Sequence, residues 1–246
     1  MPEKIERVLL DGEQGPRSIE CVLRKSNRAR RMNLRVASRD TAILTLPRRS
    51  SWSEGLGFLE SHREWLRKKT LGFPSVTRLD QYFRKGGKVW LDETPRTFEW
   101  LRPEVCPEGS VSIGQGNIVL ALPDEADLET GLMKACSALA KKNLPLRLEK
   151  LSVFHRLDWN KCRVGNQKSR WGSCSNAGTI SLNWRLILLP YELGNYVLCH
   201  ELAHLKHMNH SAAFWNFLES LVPGAQKLDA ELRKLSRAIM GLARNA

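Results

Sequence analysis

At 246 residues, 42% hydrophobic and 26% charged, the chain has ordinary globular composition and enough apolar material for a sizeable core, which excludes a fibrous or largely disordered protein. Lys and Arg outnumber Asp and Glu by 39 to 26, a formal charge of +13 that favours anionic partners, yet no run reaches the ~18 apolar residues that a spanning helix needs. The six cysteines, Cys21, Cys106, Cys136, Cys162, Cys174 and Cys199, form no Cys-x-x-Cys pair and no dense scaffold, so a reducing cytoplasm and no membrane association are expected.

The first fifty residues read as short strands at Arg7 to Leu10, Ile19 to Leu23, Met32 to Val36 and Ala42 to Leu46, with Gly, Asn, Asp and Ser between them. Pro47 stops the last. Helical spacing of Leu56, Phe58, Leu59, Trp65 and Leu66 predicts one helix from Ser51 or Ser53 to about Lys69. Strand-like runs return around Val89 to Leu91, Thr97 to Leu101, Val111 to Ile113 and Ile118 to Leu122, punctuated by glycines. Asp127 to about Phe154 is helical, with Pro145 expected to kink or split it. Three further β segments follow, at Trp159 to Val164, Arg170 to Cys174 and Thr179 to Trp184. The chain then turns helical, over Pro190 to about His207, Ser211 to Leu221 and Gln226 to about Leu242. The expected organisation is α+β, with a β-rich region at 1–123 and a C-terminal region at 124–246 that carries the chemistry.

Basic residues are uneven. Between Arg24 and Arg49 lie nine Lys or Arg and one acid, Asp40, and Lys161 to Arg170 adds four more without an acid. These are either solvated faces of strands and turns or a face that binds polyanion such as nucleic acid.

The chemistry concentrates at His200-Glu201-Leu202-Ala203-His204, inside a run from Tyr196 to Lys206 free of Pro and Gly. At 100° per residue, His200 and His204 lie about 40° apart on one helix face, one turn from each other, so two imidazoles reach a common ion. Glu201 stands about 100° round from His200, at the edge of that face, where a carboxylate touches an attacking water without ligating. His210 follows after His207-Met208-Asn209, a stretch able to turn the chain back, and supplies a third ligand; Asn209 or Ser211 caps the next helix. Three histidines and one open position suit Zn²⁺ and hydrolysis, with Glu201 as general base toward a zinc-bound water and then as proton donor to the leaving amine. His207 reads as a solvated or supporting residue.

Around this core, Ser169-Arg170-Trp171-Gly172-Ser173-Cys174, the strand Ile180 to Asn183, Pro190, Asn209-His210, Phe214-Trp215 and Pro223 resemble the YgjP-like metallopeptidase domain family, a zincin group related to the SprT-like and WLM metallopeptidases. The pattern Arg24 to Arg35, ending at Leu46-Pro47, is similar to that family's basic N-terminal strands. The resemblance implies a zincin-like fold, metal binding by His200, His204 and His210, and catalysis by Glu201 on a peptide or protein substrate. It also makes Thr179 to Asn183 the expected edge strand that binds peptide by strand addition, with Arg170, Ser173 and Asn183 as candidate contacts to substrate or oxyanion. The histidine spacing matches metzincins too, but His207 stands where they carry a turn glycine. Two other readings stand beside the peptidase: a zinc-stapled module without catalysis, and a protease acting on nucleic-acid-bound proteins.

Overall fold

In the computed structural model, residues 3–11, 15–37, 40–71, 78–101, 110–121 and 128–243 are described. They fall into two compact units, Met1–Ser75 and Val76–Ala246.

The first unit opens with β1 (Glu3–Leu10), β2 (Arg17–Ser26), β3 (Asn33–Val36) and β4 (Thr41–Pro47), close to the expected strands, in the order β1-β2-β4-β3. Strands β2 and β4 run parallel, while β1 and β3 flank them antiparallel. Period-two alternation buries Ile19, Cys21 and Leu23 of β2 and Ala42, Leu44 and Leu46 of β4 on one face. That face packs with Leu59 of α1 (Trp52–Ser61) and Leu66 of α2 (Arg63–Leu71). The approach is close: a Cβ on Gly55 would stand 2.6 Å from Leu46 Cδ2.

The single helix expected to Lys69 is instead this pair. Ser51 starts α1 with a capping box, accepting from the Glu54 amide while the Glu54 carboxylate accepts from the Ser51 amide. Ser61 Oγ and His62 Nδ1 both occupy the Phe58 carbonyl, at 2.9 Å, and the His62 amide donates to Leu59 instead. Side chains thus replace the backbone bond that would have continued the helix.

The second unit begins with α3 (Leu79–Arg84), absent from the sequence reading, and a sheet of β5 (Val89–Trp90), β6 (Pro95–Leu101), β7 (Val111–Ile113) and β8 (Asn117–Ala121) in the order β5-β6-β8-β7. Helix α4 (Leu128–His155) runs through Pro145 without splitting. The carbonyl that loses its partner belongs to Lys141, an exposed residue, so water can satisfy it. Then come β9 (Lys161–Gly165), β10 (Gly172–Cys174) and β11 (Thr179–Asn183), a 3-10 turn at Trp184–Leu188, and helices α5 (Tyr191–Ala203), α6 (Ala212–Leu221) and α7 (Ala225–Gly241).

One core joins these elements: Phe83 of α3, with Phe98 of β6 and Ile118 of β8, shares a buried cluster with Leu144, Ile180, Leu198 and Phe214. The division between the compact units falls at 75/76, and β5 to β8 pack with the helices that follow them. Arg147 ties the core together, donating to Asn195 Oδ1 at 2.7 Å and to the carbonyls of Tyr191 and Trp90. Gly194 leaves it room, since a Cβ there would stand 2.8 Å from Nη2.

Among the described residues, no helix is long and apolar enough to cross a membrane. Cys21, Cys136, Cys162, Cys174 and Cys199 are free thiols, and Cys106 lies outside the described residues.

Candidate metal centre

Helix α5 follows Pro190, which sits at the N-cap position, and buries Leu193, Tyr196 and Val197 on the side that also carries the histidines. His200 lies in its last turn and His204 at its C-cap; the chain then turns through 205–209 and presents His210 just before Ser211, the N-cap of α6. Ser211 takes that position without a side-chain capping bond.

The three rings converge, with ring centroids 4.8 to 5.0 Å apart and one ligand nitrogen from each within 4.8 Å of the others. His200 Nε2 and His210 Nε2 face each other at 3.0 Å, an approach that a shared proton or a shared cation must relieve. His204 Nδ1 lies 3.0 Å from the His207 carbonyl, which can only accept, so Nδ1 carries the proton and Nε2 keeps its lone pair for the centre. His207 thus contributes its backbone, while its ring packs edge-on against Phe217. Phe214 stacks on His204 and meets His200 and His210 edge-on, fixing all three rings from below. Burial, then the neighbouring His204 and His210, pushes His200 down to about 4, so its imidazole is neutral at pH 7 and ready to ligate.

Glu201 is 5% exposed, and its Oε2 is buried with no hydrogen-bond partner. Burial pushes its carboxyl up to about 8, against the opposing charge of Arg170. An orphaned carboxylate oxygen costs roughly 1–3 kcal/mol, and such a group persists where a cation or reacting water completes it. Three imidazoles as donors and an acidic group beside them fit a divalent cation.

Of the other expected site residues, Arg170 is exposed on the 166–171 loop and acts electrostatically on Glu201. Ser173 lies in β10, paired with Ser181. Asn183 is fully buried: its amide donates to the carbonyls of Gln167 and Arg170, at 2.8 and 3.1 Å, and its Oδ1 accepts from the Arg185 amide. It shapes the loop that carries Arg170. The expectation that Thr179 to Asn183 is an edge strand is overturned, because β11 is bonded on both sides, to β10 and to β9. Among the described residues, β10 is the edge strand beside Glu201, and its Gly172 lies against the carboxylate.

Sequence reasoning missed a second contact set. Tyr196, edge-on to His200, has its hydroxyl 3.2 Å from Asp229 Oδ1, and Asp229 pairs with Arg233 at 2.7 Å. With Trp215 and Gln226, Asp229 and Arg233 line a pocket next to the histidines. Asp229 belongs to α7, 29 residues beyond His200, so no local spacing announces it.

The model of the family described as YgjP-like, metallopeptidase domain, matches residues 30–235. Among solved structures, the chain is similar to the crystal structure of the metallopeptidase zymogen of Pyrococcus abyssi abylysin, at 33% identity over 37% of this chain and 93% of that one, with a TM-score of 0.33. No curated protein matches the chain.

Proposed function

The chain belongs to the YgjP-like metallopeptidase family, and from that footing we propose that it is a zinc-dependent peptidase in which His200, His204 and His210 hold the ion and Glu201 moves the proton. The observation that carries this reading is Glu201 Oε2, buried and unpartnered beside three converging imidazoles. Three neutral nitrogen donors suit zinc better than Mg²⁺ or Ca²⁺, which take oxygen ligands. Zinc bound there would polarise the scissile carbonyl and make water acidic enough to attack near pH ~7.

Glu201 is then the base that accepts the water's proton and returns it to the leaving amine. A carboxyl beside the reacting water can serve in both directions, taking the proton as water attacks and giving it up as the amine leaves. Arg170 offsets the cost of the carboxylate's burial and faces the incoming substrate. The open edge of β10 takes the substrate backbone by strand addition, with Ser173 beside it and Asn183 holding the 166–171 loop. Every residue in this scheme falls in 124–246, the proposed catalytic region. The five free thiols fit work in a reducing compartment such as the cytoplasm.

A scaffold role is less well supported, because structural zinc sites are usually closed by four protein ligands and an idle buried glutamate would be a pure cost. The test is proteomic: fragments produced by the wild-type protein and missing with Glu201→Gln identify both activity and substrate. Identical fragment sets from the two proteins would refute the peptidase reading.

A further inference from the structure

Among the described residues, the Met1–Ser75 unit contributes none to the histidine cluster, yet its sequence carries the densest positive charge in the chain. Topology gathers that charge at one end of its sheet. Because β2 and β4 are parallel, with Ser26 level with Pro47, both strands finish at the same edge, and β3 begins there too, with Asn33 level with Thr45. Two connections leave this edge: 27–32 carries Arg28, Arg30 and Arg31, and the turn after β4 carries Arg48 and Arg49. The two adjoin, since Asn27, Ala29, Pro47, Arg48 and Arg49 line one depression. Arg24, level with Thr45 and donating to its hydroxyl at 3.3 Å, adds a sixth guanidinium.

All six arginines are exposed, and among the described residues none makes an ion pair. Elsewhere in the same sheet, Arg7 and Arg17 do pair, with Glu20 and Asp40. The acids near this end are few: Glu3 sits opposite Arg24, and Glu54 is held by Ser51. Six like charges gathered against so few acids repel one another, and an external polyanion relieves that repulsion. Guanidinium forks match phosphate oxygens in pairs, which a row of lysines does not.

We propose that this end of the N-terminal sheet binds the phosphate backbone of a nucleic-acid duplex, independently of sequence. A duplex fits better than a single strand because residues 24–51 contain no aromatic side chain for a base to stack on, and the adjacent Trp52 is covered by Lys25 at 4.9 Å. An anionic membrane fits less well, because none of the exposed large hydrophobic side chains lies in that stretch, leaving nothing to insert. None of these arginines is a residue of the histidine centre, so the proposal stands or falls independently of the peptidase reading.

The test uses the full chain and a fluorescent 20-base-pair duplex, as DNA and as RNA, titrated by anisotropy from about 50 to 200 mM salt. Engaging about five phosphates predicts a log–log slope near −4 to −5, a loss of about 10² to 10³ over that range. Arg28→Glu, Arg30→Glu and Arg31→Glu together should lower affinity at least ~30-fold and make the slope shallower by about 3. The same three changed to Gln, with melting checked, guard against a folding artefact and should weaken binding less. Lys141→Glu, Lys142→Glu and Lys150→Glu on exposed positions of α4 change net charge equally, and should have little effect. Equal losses from the two charge-reversed proteins would reduce the surface to net charge alone and overturn the proposal. So would absence of duplex binding at 50 mM salt, or binding to phosphatidylserine vesicles without binding to duplex.

Discussion

Gly172 of β10 lies against Glu201 of α5 so closely that a Cβ at position 172 would stand 2.5 Å from Oε1 and 2.6 Å from Cγ of the glutamate. Glycine is required here by the neighbour, not by backbone dihedrals: the missing methyl is the space the buried carboxylate occupies. The same contact sets the edge of β10 beside the base, so one residue positions both the base and the proposed substrate strand.

Gly172→Ala is therefore expected to displace Glu201 while leaving the three histidines in place. Overpacking of this kind costs about 1–3 kcal/mol, visible as a lower melting temperature, and displacement of a general base should cost about 10²-fold or more in cleavage rate. Zinc content should stay at the wild-type level. Wild-type cleavage by a folded Gly172→Ala protein would show that the carboxylate's position is not critical.

The convergence of the three histidines was legible in sequence because it is local: His200 and His204, with Glu201 between them, are placed by helical periodicity, and His210 by a short turn. Strands β1 to β4 were legible for a similar reason, since alternation such as Ala42, Leu44 and Leu46 is written along each strand. What was not legible is long-range. That β11 lies between β10 and β9 depends on a parallel pairing of Thr179 with Lys161, which no pattern inside β11 encodes. Gly172 against Glu201 and Asp229 against Tyr196 are contacts across 29 and 33 residues that only the packed helices and sheet bring about.

Helix α3 illustrates the same limit and gives a second prediction. Its N-cap residue, Arg78, makes no side-chain capping bond; instead the Glu129 carboxylate of α4 accepts from the Leu79 amide at 2.8 and 2.9 Å. The cap comes from fifty residues away, where a local search finds none. Glu129→Ala should destabilise the protein by about 1–2 kcal/mol, the scale of a lost cap, measured by urea unfolding. An unchanged midpoint would mean that the amide finds water instead.

If substrate adds to the open edge of β10, recognition is mainly through backbone hydrogen bonds. Peptides N-methylated at one position at a time should then lose about 3- to 10-fold in kcat/KM for each bond removed, alternating along the strand, since a net hydrogen bond is worth about 0.5–1.5 kcal/mol. The scan needs one cleaved peptide and its methylated series. A flat response across all positions would exclude strand addition at this edge.

The last prediction separates the base from the ligands. Glu201→Gln is nearly isosteric and removes no imidazole, so the protein should fold and retain about one zinc per chain by elemental analysis. An amide cannot take a proton from water, so cleavage of a denatured protein substrate should fall by about 10² to 10⁴. His210→Ala should do the reverse on the structural side: the His200 Nε2 loses the nitrogen that faces it at 3.0 Å, and only two imidazoles remain. Metal affinity should drop, and the melting temperature should lose the rise that added zinc gives the wild-type protein, because an ion bound only by the folded state stabilises it by mass action. Glu201→Gln should keep that rise. A Glu201→Gln protein that binds zinc and still cleaves at the wild-type rate, with contaminating proteases excluded, would remove the glutamate from the mechanism, whereas a wild-type protein that gains no stability from zinc would remove the ion.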